Sequence, residues 1–205
     1  MNKWIRRRRN TLGYGVQSPN DFYFVRHVLR ETLPYYAYEA LHEAVGTHDT
    51  SCTPRDEAVL RLLFRLANHV RPATILHVGC DTPLIAYSMQ LACPKARVIG
   101  IAGDGGHDQL EEALQVLGTV ELMHIAHTRH YRELVQQAMP HMRSKTLLIM
   151  EGIDIDKAKH AWWEELRQSP LTGVSYDLGS MGLLFFDKNR YKDTYWVSMR
   201  NLIGR

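Results

Sequence analysis

Few side chains in this sequence have chemistry to offer, and they are scattered. His124, His127 and His130 recur at every third position, and imidazole is a ready ligand for zinc and related ions. They straddle the end of an apolar run and the start of an amphipathic one, so their rings need not converge. No cysteine or carboxylate stands beside them at metal-site spacing, and no metal is expected. Arg6, Arg7, Arg8 and Arg9, with Trp4, offer cationic contacts of the kind that grip phosphate backbones without reading sequence; a solvated basic tail is the default reading. The stretch Thr74–Asp104 is more specific. TILHV, a turn at Gly79, an apolar helical segment and then RVIGI read as strand, turn, helix and strand, the opening βαβ unit of a nucleotide-binding α/β domain.

The elements that must position these groups follow from periodicity. Ser18-Pro19 signals a capped helix start, and Phe22, Val25, Val28 and Leu29 continue at helical spacing to about Thr32. A second short helix is predicted over Tyr35–Ala44. A third, starting at Thr53-Pro54, carries Val59, Leu62, Leu63, Leu66 and Ala67 on one face and ends near Arg71-Pro72. From Ala73 onward short apolar runs alternate with amphipathic segments. Strands are predicted at Thr74–Val78, Arg97–Ile101, Val120–Ile125, Thr146–Met150, Thr172–Asp177 and Gly182–Phe186. Helices are predicted at Pro83–Ala92, Asp108–Leu117, Arg129–Met139 and Asp156–Gln168. That alternation implies parallel strands with crossover helices, and the short link Leu178–Met181 implies a closing antiparallel hairpin. The chain thus divides into a flexible basic arm (1–12), a helical cap (13–71) and an α/β domain (72–205), with cap and domain forming one unit.

Composition excludes more than it assigns. The 205 residues are 45% hydrophobic with a formal charge of +3, which fits a soluble chain with one core and does not suggest a general polyanion-binding surface. Cys52, Cys80 and Cys93 form no CxxC pair, which fits a reduced compartment better than a disulfide framework. The basic start runs into Asn10-Thr-Leu-Gly-Tyr-Gly rather than an apolar segment, unlike a secretory leader, and no apolar run is long enough for a bilayer. The expectation is a cytoplasmic protein without membrane or nucleic-acid partners.

Several segments together resemble a family. Gly13-Tyr-Gly-Val-Gln-Ser-Pro19 is similar to an HGIHSPF-type motif, and Thr32-Leu-Pro-Tyr-Tyr-Ala-Tyr38 to a TPYYA segment. Leu62–Asn68, Pro72–Leu76, Ala161–Leu166 and Asp177–Phe186 extend the likeness along the chain. The sequence resembles the class I S-adenosylmethionine-dependent methyltransferases, in particular a bacterial group related to small-molecule O-methyltransferases. The resemblance implies a Rossmann-like α/β fold, mostly parallel with a C-terminal antiparallel hairpin, plus N-terminal helices. The interval Gly118–Lys145 is short by about one βα unit relative to that family.

The same resemblance assigns site positions. Gly79, Asp81, Gly103 and Asp104 fall around the cofactor, S-adenosylmethionine, and Glu151 falls where a catalytic carboxylate follows a strand. Several positions depart from the family. His77 stands at an acidic position, Pro83 replaces a loop glycine and removes an N–H, and Ala102 occupies the ribose-binding acid's place. Asp81 offers a carboxylate at a shifted place, and Asp104-Gly105-Gly106 also reads as a turn before a helix. Glu151 reads equally as a cap or a solvated strand end. Two functions stay open: a methyltransferase with weakened or lost activity on a small-molecule substrate, and a non-catalytic pseudo-methyltransferase that binds a protein partner. An RNA-associated protein using the arginine arm is the weaker third.

Overall fold

The computed structural model describes residues 3–48, 54–79, 83–102, 106–126 and 128–199. It divides into two compact units, Met1–Arg71 with Thr82–Lys95 and Trp196–Arg205, and Pro72–Asp81 with Ala96–Tyr195.

The first unit is helical. Helices α1 (Lys3–Thr11), α2 (Pro19–Phe24), α3 (Ala37–His48), α4 (Pro54–Val70) and α5 (Leu84–Ala92) follow in order, and a π-helical turn, Val25–Leu29, continues α2. Ser18 caps α2 by accepting from the Asp21 N–H at 3.3 Å, with Pro19 at the first helical position as predicted. The helix ends at Leu29 rather than near Thr32. Beyond it, the Glu31 carboxylate accepts from the N–H groups of Thr32 and Leu33, both at 2.8 Å, and this local turn replaces further helix. The arginine run, read as a flexible arm, lies instead in α1. There Arg6 sits over the Trp196 ring at 4.0 Å, and the Thr11 hydroxyl accepts from the Ser198 N–H at 2.8 Å. Helix α5, expected with the α/β domain, groups with the N-terminal helices.

The second unit is a seven-stranded sheet in the order β2-β1-β3-β4-β6-β5-β7. Its strands are β1 (Thr74–Val78), β2 (Arg97–Ile101), β3 (Val120–Ile125), β4 (Met142–Glu151), β5 (Ser175–Asp177), β6 (Met181–Phe185) and β7 (Thr194–Trp196). The first four are mutually parallel, and β6 pairs antiparallel with both β4 and β5. Helices α6 (His107–Leu117), α7 (Tyr131–Ala138) and α8 (Lys157–Gln168) cover one face. There Leu76, Val78, Met123, Ile125, Leu148 and Met150 pack with Leu110, Leu114, Leu134 and Trp163. Alternation along each strand turns those residues to one side and His77, His124 and Glu151 to the other.

Strand β5 begins at Ser175, three residues later than predicted, because the Thr172 hydroxyl, with the Leu166, Arg167 and Ser169 carbonyls all within hydrogen-bond reach of its one proton, closes the end of α8. Helix α6 runs into β3 through Gly118 and Thr119 alone, and β2 forms the sheet's edge. Among the described residues nothing corresponds to the further strand that a doubly wound dinucleotide fold carries outside that position.

Gly182 fixes how closely α8 approaches the sheet, since a Cβ there would lie 2.6–2.8 Å from the Trp163 ring, itself fully buried. Gly182→Ala is therefore expected to destabilise by about 1–3 kcal/mol, seen as a lower urea midpoint at unchanged slope. An unaltered midpoint would mean that Trp163 has room to move.

Candidate functional site

The strand order reverses between β1 and β3: the chain passes from β1 outward to β2, then returns to the other side of β1. The carboxyl ends of strands flanking such a reversal are where open α/β sheets receive ligands. Three polar side chains gather there. Parallel register sets His77 beside His124, each the penultimate residue of its strand, and Glu151 ends β4.

Their geometry is a chain of contacts across three strands. His77 Nδ1 lies 2.9 Å from His124 Nδ1, and His124 Nε2 lies 3.1 Å from Glu151 Oε1. Because two Nδ1 atoms meet, one must carry a proton and the other must not. The chain ends at His77 Nε2, which is buried without a hydrogen-bond partner. His77 is 3% exposed. On the β2 side its register partner is Gly100, where a Cβ would meet nothing within 4 Å. Burial first, and His124 second, push the His77 imidazole down to about 3 against the opposing pull of Glu151, so the ring is neutral at physiological pH.

A buried lysine lies within electrostatic reach of Glu151. Lys159, 2% exposed on α8, places its ammonium 4.9 Å from the Tyr131 ring. Burial lowers its pKa, and Glu151 and Asp156 hold it up. Asp156 caps α8 by accepting from the Lys159 N–H at 2.7 Å.

Of the residues assigned from sequence, Gly79 and Glu151 are described, whereas Asp81, Gly103 and Asp104 lie outside the described residues. Gly79 turns the chain at φ +93°, a conformation that suits glycine, and donates its N–H to the Ile101 carbonyl at 3.0 Å. Gly152 does likewise after Glu151, at φ +65°, donating to Ser180 at 2.6 Å. Ala102 is exposed directly past the end of β2, as the sequence register placed it. His124 points to His77 and Glu151, His130 precedes α7, and His127 lies outside the described residues. No group of three metal-ligating side chains is found among the described residues, and no helix there is long and apolar enough to cross a membrane. Sequence reasoning missed the His77–His124 pair; the usable signal was a histidine one residue before the end of each of two strands predicted to be parallel.

No family model and no curated protein matches this sequence. Solved structures do. The O-methyltransferase TomG from Streptomyces achromogenes, in complex with SAM, aligns at TM-score 0.53 and 14% identity, over 75% of this chain and 91% of that one. The fold is that of a class I methyltransferase. Cofactor-bound Rv0187 from MTB aligns at TM-score 0.49 and 15% identity, over 84% of this chain and 99% of that one. A release-factor-specific protein-(glutamine-N5) methyltransferase from Alicyclobacillus acidocaldarius aligns at TM-score 0.45 and 14% identity, over 69% of this chain and 94% of that one. In this fold the two imidazoles and the carboxylate stand at the carboxyl ends of β1, β3 and β4.

The sign of the His77 shift sets a pH dependence. The unfolded ring takes up a proton near 6.5, whereas the folded ring resists it down to about 3. Stability is therefore full above the upper value and falls as pH drops toward the lower one. Replacing the ring by His77→Gln removes this proton uptake, so the variant is expected to lose less stability on acidification from pH 7 to 4. Urea titrations at several pH values check this; parallel declines in both proteins would show that His77 is not held neutral.

Proposed function

We propose that this chain is a class I methyltransferase with a weakened hold on S-adenosylmethionine, acting on a small molecule whose hydroxyl gives up its proton to the His77–His124–Glu151 relay. The orphaned Nε2 of His77 carries this reading, because a buried polar atom without a partner calls for a ligand or a chemical role. The strand ends fit the cofactor at the Gly79 turn, which lets a ligand approach the backbone. They fall short at Ala102, which has no carboxylate to offer the ribose hydroxyls. When bound, the cofactor would supply an electrophilic methyl group.

The chain's own part is proton management. A low pKa makes His77 a poor store of charge, yet it need not store any. With Nδ1 protonated, Nε2 is free to accept a proton from an acceptor hydroxyl while Nδ1–H passes to His124 Nδ1. His77 stays neutral and only exchanges tautomers. The positive charge comes to rest on His124, whose Nε2–H already faces the Glu151 carboxylate at 3.1 Å. Glu151 then orients and stabilises an imidazolium, as carboxylates do for histidine bases. Gly79, Asp81, Gly103 and Asp104 belong to the cofactor side of this reading, and Glu151 to the catalytic side.

A charge-assisted hydrogen bond is worth about 1.5–3 kcal/mol, so lacking the ribose acid weakens binding by roughly one to two decades. Calorimetry with S-adenosylhomocysteine is expected to show binding weaker than about 100 μM, tightened about tenfold or more in Ala102→Glu. Low-micromolar binding by the unaltered protein would remove the weakened-cofactor reading. Heat from neither protein would instead favour the non-catalytic binding module.

A further inference from the structure

The helical unit contains a cavity of about 380 Å³ whose walls include Tyr23, His27, Tyr35, Arg65, Asn68 and Arg71. The α2 segment and its π turn supply one side, α4 supplies another, and Tyr35 comes from the link before α3. Among the described residues no carboxylate lines it. The Glu31 carboxylate is close enough to Tyr35 to raise its hydroxyl pKa, after burial, the larger cause, but it is engaged by the N–H groups of Thr32 and Leu33.

Arg65 is the unusual member. It is 6% exposed, and its partners are neutral. Nε donates to the Val28 carbonyl at 2.9 Å, Nη2 to the Leu29 carbonyl at 3.2 Å and Nη1 to the Tyr38 hydroxyl at 3.2 Å. A guanidinium has five N–H donors, so three are used and two remain. Burying a cation without a counter-charge is costly. The carbonyls ending the π turn offset part of that cost through the negative end of the helix dipole, but they carry no full charge. A second guanidinium, Arg71, stands at the cavity's exposed rim, with imidazole, amide and phenol donors around it.

We propose that this cavity binds a phosphate dianion, either free phosphate or the head of a phosphate monoester. Two guanidinium groups and donors on different walls suit several anionic oxygens better than the two of a planar carboxylate. The aromatic rings of Tyr23 and Tyr35 give a monoester's organic part a surface to rest on. The site is independent of the reading given to the strand ends.

The test is calorimetry on the full chain at low ionic strength with inorganic phosphate, phenyl phosphate and benzoate. Saturable binding of one equivalent of phosphate or phenyl phosphate is expected, at least tenfold tighter than benzoate. Phenyl phosphate binding tighter than phosphate would identify a monoester as the ligand, and equal affinities would identify the free anion. Arg71→Gln, on the rim, is expected to weaken either phosphate by about tenfold with the thermal midpoint unchanged. Arg65→Gln is expected to abolish binding, and if that variant fails to fold, the Arg71→Gln result decides alone. The proposal is overturned by no saturation at about 10 mM ligand, by benzoate binding as tightly, or by undiminished affinity in Arg71→Gln. Each of these would leave Arg65 as a clamp on the π turn and nothing more.

Discussion

A histidine placed in the interior of a sheet must be neutral or matched by a negative charge, and this constraint governs the strand ends. His77 has no carboxylate of its own. It is neutral because burial forbids the charge, and it reaches Glu151 only through His124. Everything needed for that arrangement comes from the backbone. Parallel pairing of β1 with β3 sets the two rings side by side, and the extra length of β4 carries its terminal carboxylate to the second ring. The reversal of strand order places these ends of β1 and β3 where such sheets take ligands.

Much of the framework was legible in the sequence because its signals are local. The β1, β2 and β3 runs are short, apolar and punctuated, and their bounds match the structure. The closing hairpin followed from a link too short for a crossover. Strand β7 was missed because three residues, Thr194–Trp196, give no period to read. Helix α1 was missed because four adjacent arginines mask any amphipathic pattern, and its stabilising partners, Trp196 and Ser198, lie at the opposite end of the sequence.

The site was only half legible, for a related reason. Glu151 was recognisable as a carboxylate at a strand end, but its partner was not. His124 was grouped with His127 and His130, its neighbours along the chain, whereas its actual neighbour is 47 positions away across a strand pair. His77 registered as the loss of an acid rather than the gain of an imidazole. The same limit hid the surroundings of Arg65, which in sequence is an ordinary member of an amphipathic helix and in the structure bonds to carbonyls more than 35 positions away.

The meeting of two Nδ1 atoms has a consequence for ligand choice. One proton is shared between the rings, and whichever ring holds it determines what the far nitrogen of His77 presents. With the proton on His77, that nitrogen is a lone pair; once it has passed to His124 and His77 has taken a proton from the ligand, that nitrogen is an N–H and the charge rests on His124 against Glu151. The strand end can thus meet a hydroxyl, an amine or a carbonyl in a complementary sense without a backbone movement or a new charge on His77. Its polarity belongs to the pair and is set by whatever arrives.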